Sequence, residues 1–247
     1  MSALPGAGPG FRRVGHKGAA GLVEGNTIAS FRRAVEVGVD MIEFDVLRLG
    51  DGPPGAPSER RSPLVVAHDP ADAAARPTLT LTDALDAFTR PPLDRVEIDC
   101  DLKLPGREPE LVDALRERGL LERAMVSTMY VGSLARIAAL EPRLRIGWTY
   151  PLVTRAWDRS AVARPAVAAV LGLMRRRFPA EARRRAPEIG AHAIWAFHRI
   201  ATPRLARVAA DLGIELIAWT VDDATAVARL REIGVTGVCS NDPRLLQ

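Results

Sequence analysis

A parallel (β/α)8 barrel in a single domain, with a short excursion after its second strand, is the fold the sequence predicts. Three observations point to it. Strand-like and helix-like segments alternate from end to end, the pattern of a parallel sheet with helices outside. Eight units in 247 residues give about 31 residues each, the usual size for such a barrel. No Gly- or Ser-rich linker divides residues 1–247.

The strands, in order, are expected at Arg13–His16, Met41–Val46, Val96–Lys103, Ala124–Ser127, Arg145–Thr149, Ile194–Phe197, Ile214–Val221 and Gly237–Ser240. A ninth candidate, Leu64–Ala67, follows Met41–Val46 with only the loop "RLGDGPPGAPSERRSP" between them. With no helix to carry the chain back, it reads as an antiparallel excursion from the second strand. Helices are expected at Thr27–Val37, Leu81–Phe88, Glu108–Arg118, Gly132–Leu140, Pro203–Leu212 and Ala224–Ile233. Between the fifth and sixth strands, Tyr150 to Ala193 is longer than one crossover helix needs. Its apolar centre, "AVARPAVAAVLGLM", precedes Arg175-Arg176-Arg177 and Arg183-Arg184-Arg185. That segment reads as a crossover helix with an added solvated turn. The alternative is an interfacial helix making peripheral contact with anionic lipid.

Composition excludes several classes. The two cysteines, Cys100 and Cys239, make neither a disulfide framework nor a metal-binding spacing. The N-terminal "MSALPGAGPGFRR" has no apolar core of the signal-peptide kind, so a cytoplasmic location is expected. The longest weakly polar run, Ser160–Met174, is too short to span a bilayer. Net charge is +4 with a pI near 9.6, and the arginines are scattered, so no nucleic-acid partner is expected. The sequence is silent on oligomeric state.

The chemistry lies in two strands. In "DMIEFDVLRL", Met41, Glu43 and Asp45 share one face, and Ile42, Phe44 and Val46 the other. Two carboxylates on an apolar strand are costly to desolvate unless a cation or hydrogen-bond donors compensate. "VEIDCDLKL" repeats the anomaly with Glu97, Asp99, Asp101 and Lys103 on one side. A solvated edge strand would also alternate. Only three apolar residues oppose the charged set, however, and the pattern occurs twice, which favours the barrel interior, with Asp101 and Lys103 nearest the mouth. Glu43, Asp45 and Asp101 would then form a hard-oxygen site for Mg²⁺ or Ca²⁺. Zinc is disfavoured, since no His-x-His, Cys-x-x-Cys or His-Glu-x-x-His spacing occurs. His16 and His68 close predicted strands near these acids, and their ordinary pKa suits acid–base work at neutral pH. His198 follows the sixth strand and is a candidate for substrate contact, whereas His192 precedes it and should lie at the opposite face.

These residues carry a resemblance. His16-Lys17-Gly18, Asn26-Thr27, the "IEFDV" strand, Asp51-Gly52 and His68-Asp69 follow the order HRG, PENT, Glu-x-Asp, DG and HD of the glycerophosphodiester phosphodiesterase family. Farther on, "DLK" at Asp101–Lys103 resembles its acid-x-Lys strand. Trp219-Thr220-Val221-Asp222 resembles WTVN, and Asn241-Asp242-Pro243 resembles TD-x-P. The resemblance runs from about Arg13 to Pro243.

It implies a TIM barrel that hydrolyses glycerophosphodiesters to glycerol 3-phosphate and an alcohol with a divalent cation and two histidines. Glu43, Asp45 and Asp101 would hold the metal, and His16 and His68 would be the acid–base pair. Lys17, Lys103 and Trp219 would bind substrate. The implied route uses glycerol's own 2-hydroxyl and passes through a cyclic phosphate. Phospholipase D-like cleavage of lysophospholipids and non-catalytic phosphodiester binding are the alternatives; both histidines and all three acids argue against the latter. The chain departs from the pattern at Lys17, which stands where Arg is usual. It departs again at Glu24-Gly25, which replaces Pro-Glu, and at Asp101, where Glu is commonest.

Overall fold

The computed structural model describes residues 10–50, 62–152 and 164–247. Eight strands form a closed parallel barrel in sequence order. They are β1 (Arg12–His16), β2 (Met41–Val46), β3 (Glu97–Leu102), β4 (Ala124–Thr128), β5 (Arg145–Tyr150), β6 (Ala193–Phe197), β7 (Glu215–Trp219) and β8 (Gly237–Ser240). Closure is made by β1 against β8, with Val14 opposite Cys239.

The crossovers are α1 (Ile28–Val37), α3 (Leu81–Phe88), α4 (Glu108–Glu117), α5 (Val131–Leu140), α6 (Arg164–Ile189), α7 (Pro203–Leu212) and α8 (Ala224–Glu232), and α2 (Pro70–Ala75) lies within the excursion. Thr27 caps α1 by accepting from the Ser30 amide, and Gly38 ends it at φ 92°. No helix among the described residues is long and apolar enough to cross a membrane.

Period-two alternation divides the strands' side chains between two cores. The outward set packs under the helices, where Phe31, Phe44 and Phe88 from α1, β2 and α3 meet with ring centroids 5.1–5.6 Å apart. The inward set fills the barrel in layers, as the fold requires. At the floor, Arg12 donates to Glu97 at 2.9 Å and to Glu215 at 2.7 Å, and Arg145 also reaches Glu97. Above that ion-pair layer lie Val14, Met41, Met125, Trp195, Ile217 and Cys239. Gly147 makes room for Trp195, because a Cβ on it would stand 2.6 Å from the indole nitrogen. The acids of β2 and β3 come next, at the open end.

Three expectations are corrected in detail. Leu64–Ala67 is not a strand; Val65 alone forms antiparallel bridges, to Leu47 and Thr80. The antiparallel sense was foreseen, but the segment turns away after one residue because α2 and α3 follow at once. Strand β7 ends at Trp219, where the chain turns toward α8. The long connection becomes α6, 26 residues or about 39 Å at 1.5 Å per residue. Phe178, Ala182 and Ala186 in its second half are buried, whereas Val170 and Leu173 in its first half are about half exposed. The expected crossover helix is therefore present, with much more than one extra turn.

Candidate active site

Strand register alone brings the acids together. Glu43 sits opposite Asp99, and Asp45 opposite Asp101. Both strands turn these residues inward, so Glu43, Asp45 and Asp101 each offer an oxygen within 4.8 Å of the others, and all three are buried. Such a cluster cannot hold three bare charges away from water.

The mouth eases that conflict with two ammoniums. Lys103, just past β3, places Nζ 2.6 Å from both Asp45 Oδ1 and Asp101 Oδ2. Lys17 Nζ lies 3.3 Å from Asp45 Oδ2. Burial works against the Asp45 charge, but Lys103 and then Lys17 outweigh it and hold this carboxyl below the usual carboxylate range. Glu43 goes the other way: burial, then the Asp45 charge, push it well above that range. Burial also raises Asp99, which accepts from the Ser127 hydroxyl at 2.7 Å. Lys103 is kept charged because its carboxylate neighbours outweigh its burial.

The loop after β1 supplies the rest. Lys17 adopts φ 51° and Asn26 φ 59°, both in the left-handed region that few side chains enter. The Lys17 amide donates to Glu43 Oε2 at 2.9 Å. Asn26 donates from Nδ2 to Asp45 Oδ2 at 2.8 Å and accepts from the Asp45 amide at 3.2 Å. His16 closes β1 with Nε2 3.9 Å from Glu43 Oε2, and burial pushes its imidazole below the ordinary value, chiefly against the pull of Asp45.

The sequence candidates thus fall into an inner and an outer group. His16, Lys17, Glu43, Asp45, Asp101 and Lys103 converge. His68 stands at the rim, half exposed, with Nδ1 3.0 Å from Asp69 Oδ2. Trp219 lies two strands round from His16; its indole donates to the Trp195 carbonyl at 3.0 Å and its ring packs against Phe197. His198 stands edge-on to Phe197, and His192 accepts from the Ile146 amide at the barrel floor, as its position before β6 led us to expect. Asp51-Gly52 lies outside the described residues. Sequence reasoning gave no role to Asn26, Asp222 or Asn241, although each lies in a quoted motif.

The donor set fits a divalent cation. Three carboxylate oxygens are hard ligands of the kind Mg²⁺ and Ca²⁺ take. Asp45 Oδ1 is buried without a hydrogen-bond partner, held only by its ion pair to Lys103. The same mouth holds cationic side chains able to meet an anion. What the barrel and its mouth define is a class of site, three gathered carboxylates able to hold a hard cation beside two ammoniums able to meet an anion.

Comparison with known proteins narrows that class. The Glycerophosphoryl diester phosphodiesterase family model matches residues 16–71 and 94–245. A glycerophosphodiester phosphodiesterase from Caldanaerobacter subterraneus is 26% identical over 94% of this chain and 95% of its own. In fold, the chain superposes on a glycerophosphodiester phosphodiesterase from Parabacteroides distasonis at TM-score 0.68 and 17% identity, covering 94% of each chain. It also superposes on an Oleispira antarctica phosphodiesterase, solved in complex with the product sn-glycerol-3-phosphate, at TM-score 0.65 and 18% identity, again over 94% of each. This chain belongs to the glycerophosphoryl diester phosphodiesterase family, and its enzymatic activity is that of a glycerophosphodiester phosphodiesterase.

Asn26 offers a test of how the cluster is held. Asn26→Gly keeps the left-handed backbone available while removing both bonds to Asp45. Loss of such an orienting partner is expected to weaken divalent-cation binding about 10–100-fold, read by calorimetric titration. Stability should fall by only about 1–2 kcal/mol, read by urea unfolding.

Proposed function

We propose that the chain hydrolyses glycerophosphodiesters to glycerol 3-phosphate and an alcohol, using a divalent cation, Mg²⁺ or Ca²⁺, held by Glu43, Asp45 and Asp101. The observation that carries this reading is the convergence of those three buried carboxylates within 4.8 Å at the barrel mouth. When bound, the cation would polarise a phosphate oxygen and lower the pKa of a nucleophilic hydroxyl. The side chains would do the rest. Lys17 and Lys103 carry the positive charge that meets the phosphate. One of His16 and His68 takes the proton of the attacking hydroxyl as its oxygen bonds to phosphorus. The other gives a proton to the alkoxide released when the P–O bond breaks. Trp219 offers an apolar wall for the glycerol end. Glycerol's 2-hydroxyl is the nucleophile in this reading, and water then opens the cyclic phosphate.

Two experiments test it. EDTA is expected to abolish hydrolysis of glycerophosphocholine, and Mg²⁺ or Ca²⁺ to restore it; full activity in chelator would sink the cation. Replacing His16 or His68 by Ala should cost about 10²–10⁴-fold in turnover with the fold intact, whereas His192→Ala, at the barrel floor, should cost little. Near-normal kcat in His68→Ala would reduce that residue to a loop position.

The first half of α6 favours a lipid-facing setting for the same chemistry. Because α6 leaves β5 at the mouth end of the barrel, its unpacked half lies on the side of the site. Val170 and Leu173 are about half exposed there, and the exposed Arg175, Arg176 and Arg177 follow. Arg183, Arg204 and Arg207 line a cavity of about 320 Å³ between α6 and α7. Apolar side chains beside arginines suit an anionic lipid surface, and lysophospholipids would be the substrates found there. Wild type should co-sediment with anionic vesicles at low salt, and a variant with Arg175, Arg176 and Arg177 changed to Gln should bind less. Wild type remaining in the supernatant would make α6 an ordinary crossover.

A further inference from the structure

Asp222 and Asn241 take no part in the reaction as written above, yet they end in a hydrogen bond on His16. Asn241 Oδ1 lies 2.6 Å from His16 Nδ1. On its other side, Asn241 donates from Nδ2 to Asp222 Oδ2 at 2.6 Å and from its backbone amide to Asp222 Oδ1 at 2.8 Å. The Ser240 hydroxyl also donates to Asp222 Oδ1, at 3.1 Å.

The donor and acceptor inventory leaves one consistent arrangement. A carboxylate only accepts, so the amide nitrogen of Asn241 must face Asp222. Its carbonyl oxygen then faces His16, which must donate from Nδ1. The ring's other nitrogen, Nε2, is the one turned toward Glu43 at 3.9 Å. We infer that Asp222, acting through Asn241, fixes the Nδ1–H tautomer of His16 and so reserves Nε2 for proton exchange with substrate. Asp222 and Asn241 are positioning residues; neither touches the reacting atoms. The logic parallels the carboxylate that orients a catalytic imidazole in a hydrolytic triad, with an amide inserted between the two. The inference rests on the reading of His16 as an acid–base group. Both positions depart from the family pattern: Asp222 stands where WTVN has Asn, and, with Pro243 on the last position of TD-x-P, Asn241 stands where that motif has Asp, so the two departures exchange an acid and an amide within one hydrogen bond.

Asp222→Asn makes a sharp test. In the variant, Oδ1 of residue 222 still accepts from the Asn241 amide, so the new NH2 group faces the Asn241 side chain. Asn241 must then turn over, its own NH2 pointing at His16 Nδ1, and the ring proton is forced to Nε2. Long-range 1H–15N spectra of the full-length protein, labelled at histidine nitrogens and recorded near pH 8, read the tautomer directly; His16→Gln identifies the signal. Wild type is expected to show Nδ1–H and Asp222→Asn to show Nε2–H. Turnover should fall at least about 10²-fold with KM changed no more than a few-fold. Asp222→Ala, which makes no demand on the Asn241 amide, should show mixed tautomers and a smaller loss. An Asp222→Asn protein that keeps Nδ1–H, or that inverts the tautomer at wild-type turnover, would overturn the inference. Failure of the underlying reading looks different: His16→Ala would remain active, whatever the spectra of the Asp222 variants.

Discussion

Asp45 is completely buried and still carries its charge, and the mouth of the barrel is arranged around that cost. A bare carboxylate there would be several kcal/mol unfavourable. Lys103 and Lys17 supply the opposing charge, and Asn26 supplies a donor. Each helper needs its own backbone arrangement. Lys17 and Asn26 must enter the left-handed region. Thr27, directly after Asn26, must start α1 where it does. The loop from His16 to Thr27 is thus shaped by what Asp45 requires, and the position of α1 follows from that loop.

The floor of the barrel makes the mouth's electrostatics effective. Arg12, Glu97, Arg145 and Glu215 seal the lower end with ion pairs. Trp195 and its apolar neighbours fill the middle. The acids are thus backed by an apolar layer, and charges at the mouth interact across a medium less polar than water. That is why Glu43 is pushed up while Asp45, two residues along the same strand, is held down. The split follows from which carboxylate the ammoniums reach. A hard cation entering the cluster would meet oxygens already gathered and partly desolvated, which is the preorganisation that favours binding.

Local pattern made much of this legible and long-range contact hid the remainder. Period-two alternation in "MIEFDV" and "EIDCDL" is set by the strand backbone itself, so the inward acids could be read directly from those two runs. The helices α1, α3, α4, α5, α7 and α8 follow from apolar periodicity in the same way, and a side-chain cap marks the start of α1, α3, α7 and α8. By contrast, Asn241 meets His16 across 225 positions and Asn26 meets Asp45 across 19, and no local spacing announces either contact. The length of α6 escaped because its first half makes few tertiary contacts, so burial leaves no periodic signature. Leu64–Ala67 looked like a strand because its residues are buried and β-prone; burial there comes from the excursion covering β2 and not from a ladder.

The departures from the family pattern also make physical sense as pairs. A Cβ on residue 25 would stand 2.9 Å from the Cβ atoms of Lys17 and Ala20, so this loop has no room for the family's Glu at that position. Lys17 is itself a departure, and the two substitutions face each other across one contact. Glu24, the displaced acid, points outward, 3.9 Å from Arg76 and well exposed, so it does not replace what Gly25 lacks. Asp222 and Asn241 form the second pair, also in contact. Both pairs lie on the rim, one in the loop after β1 and one after β7 and β8. The acids of β2 and β3 stand apart from them: Glu43 and Asp45 keep the family's residue types, and Asp101 keeps the carboxylate on a shorter stem. In the reading proposed above, change at the rim would alter how His16 is oriented and how an anion is approached. Change in the inward acids would alter whether a cation could be held at all, because Asp45 and Asp101 share the Lys103 ammonium and Glu43 is tied to the Lys17 amide.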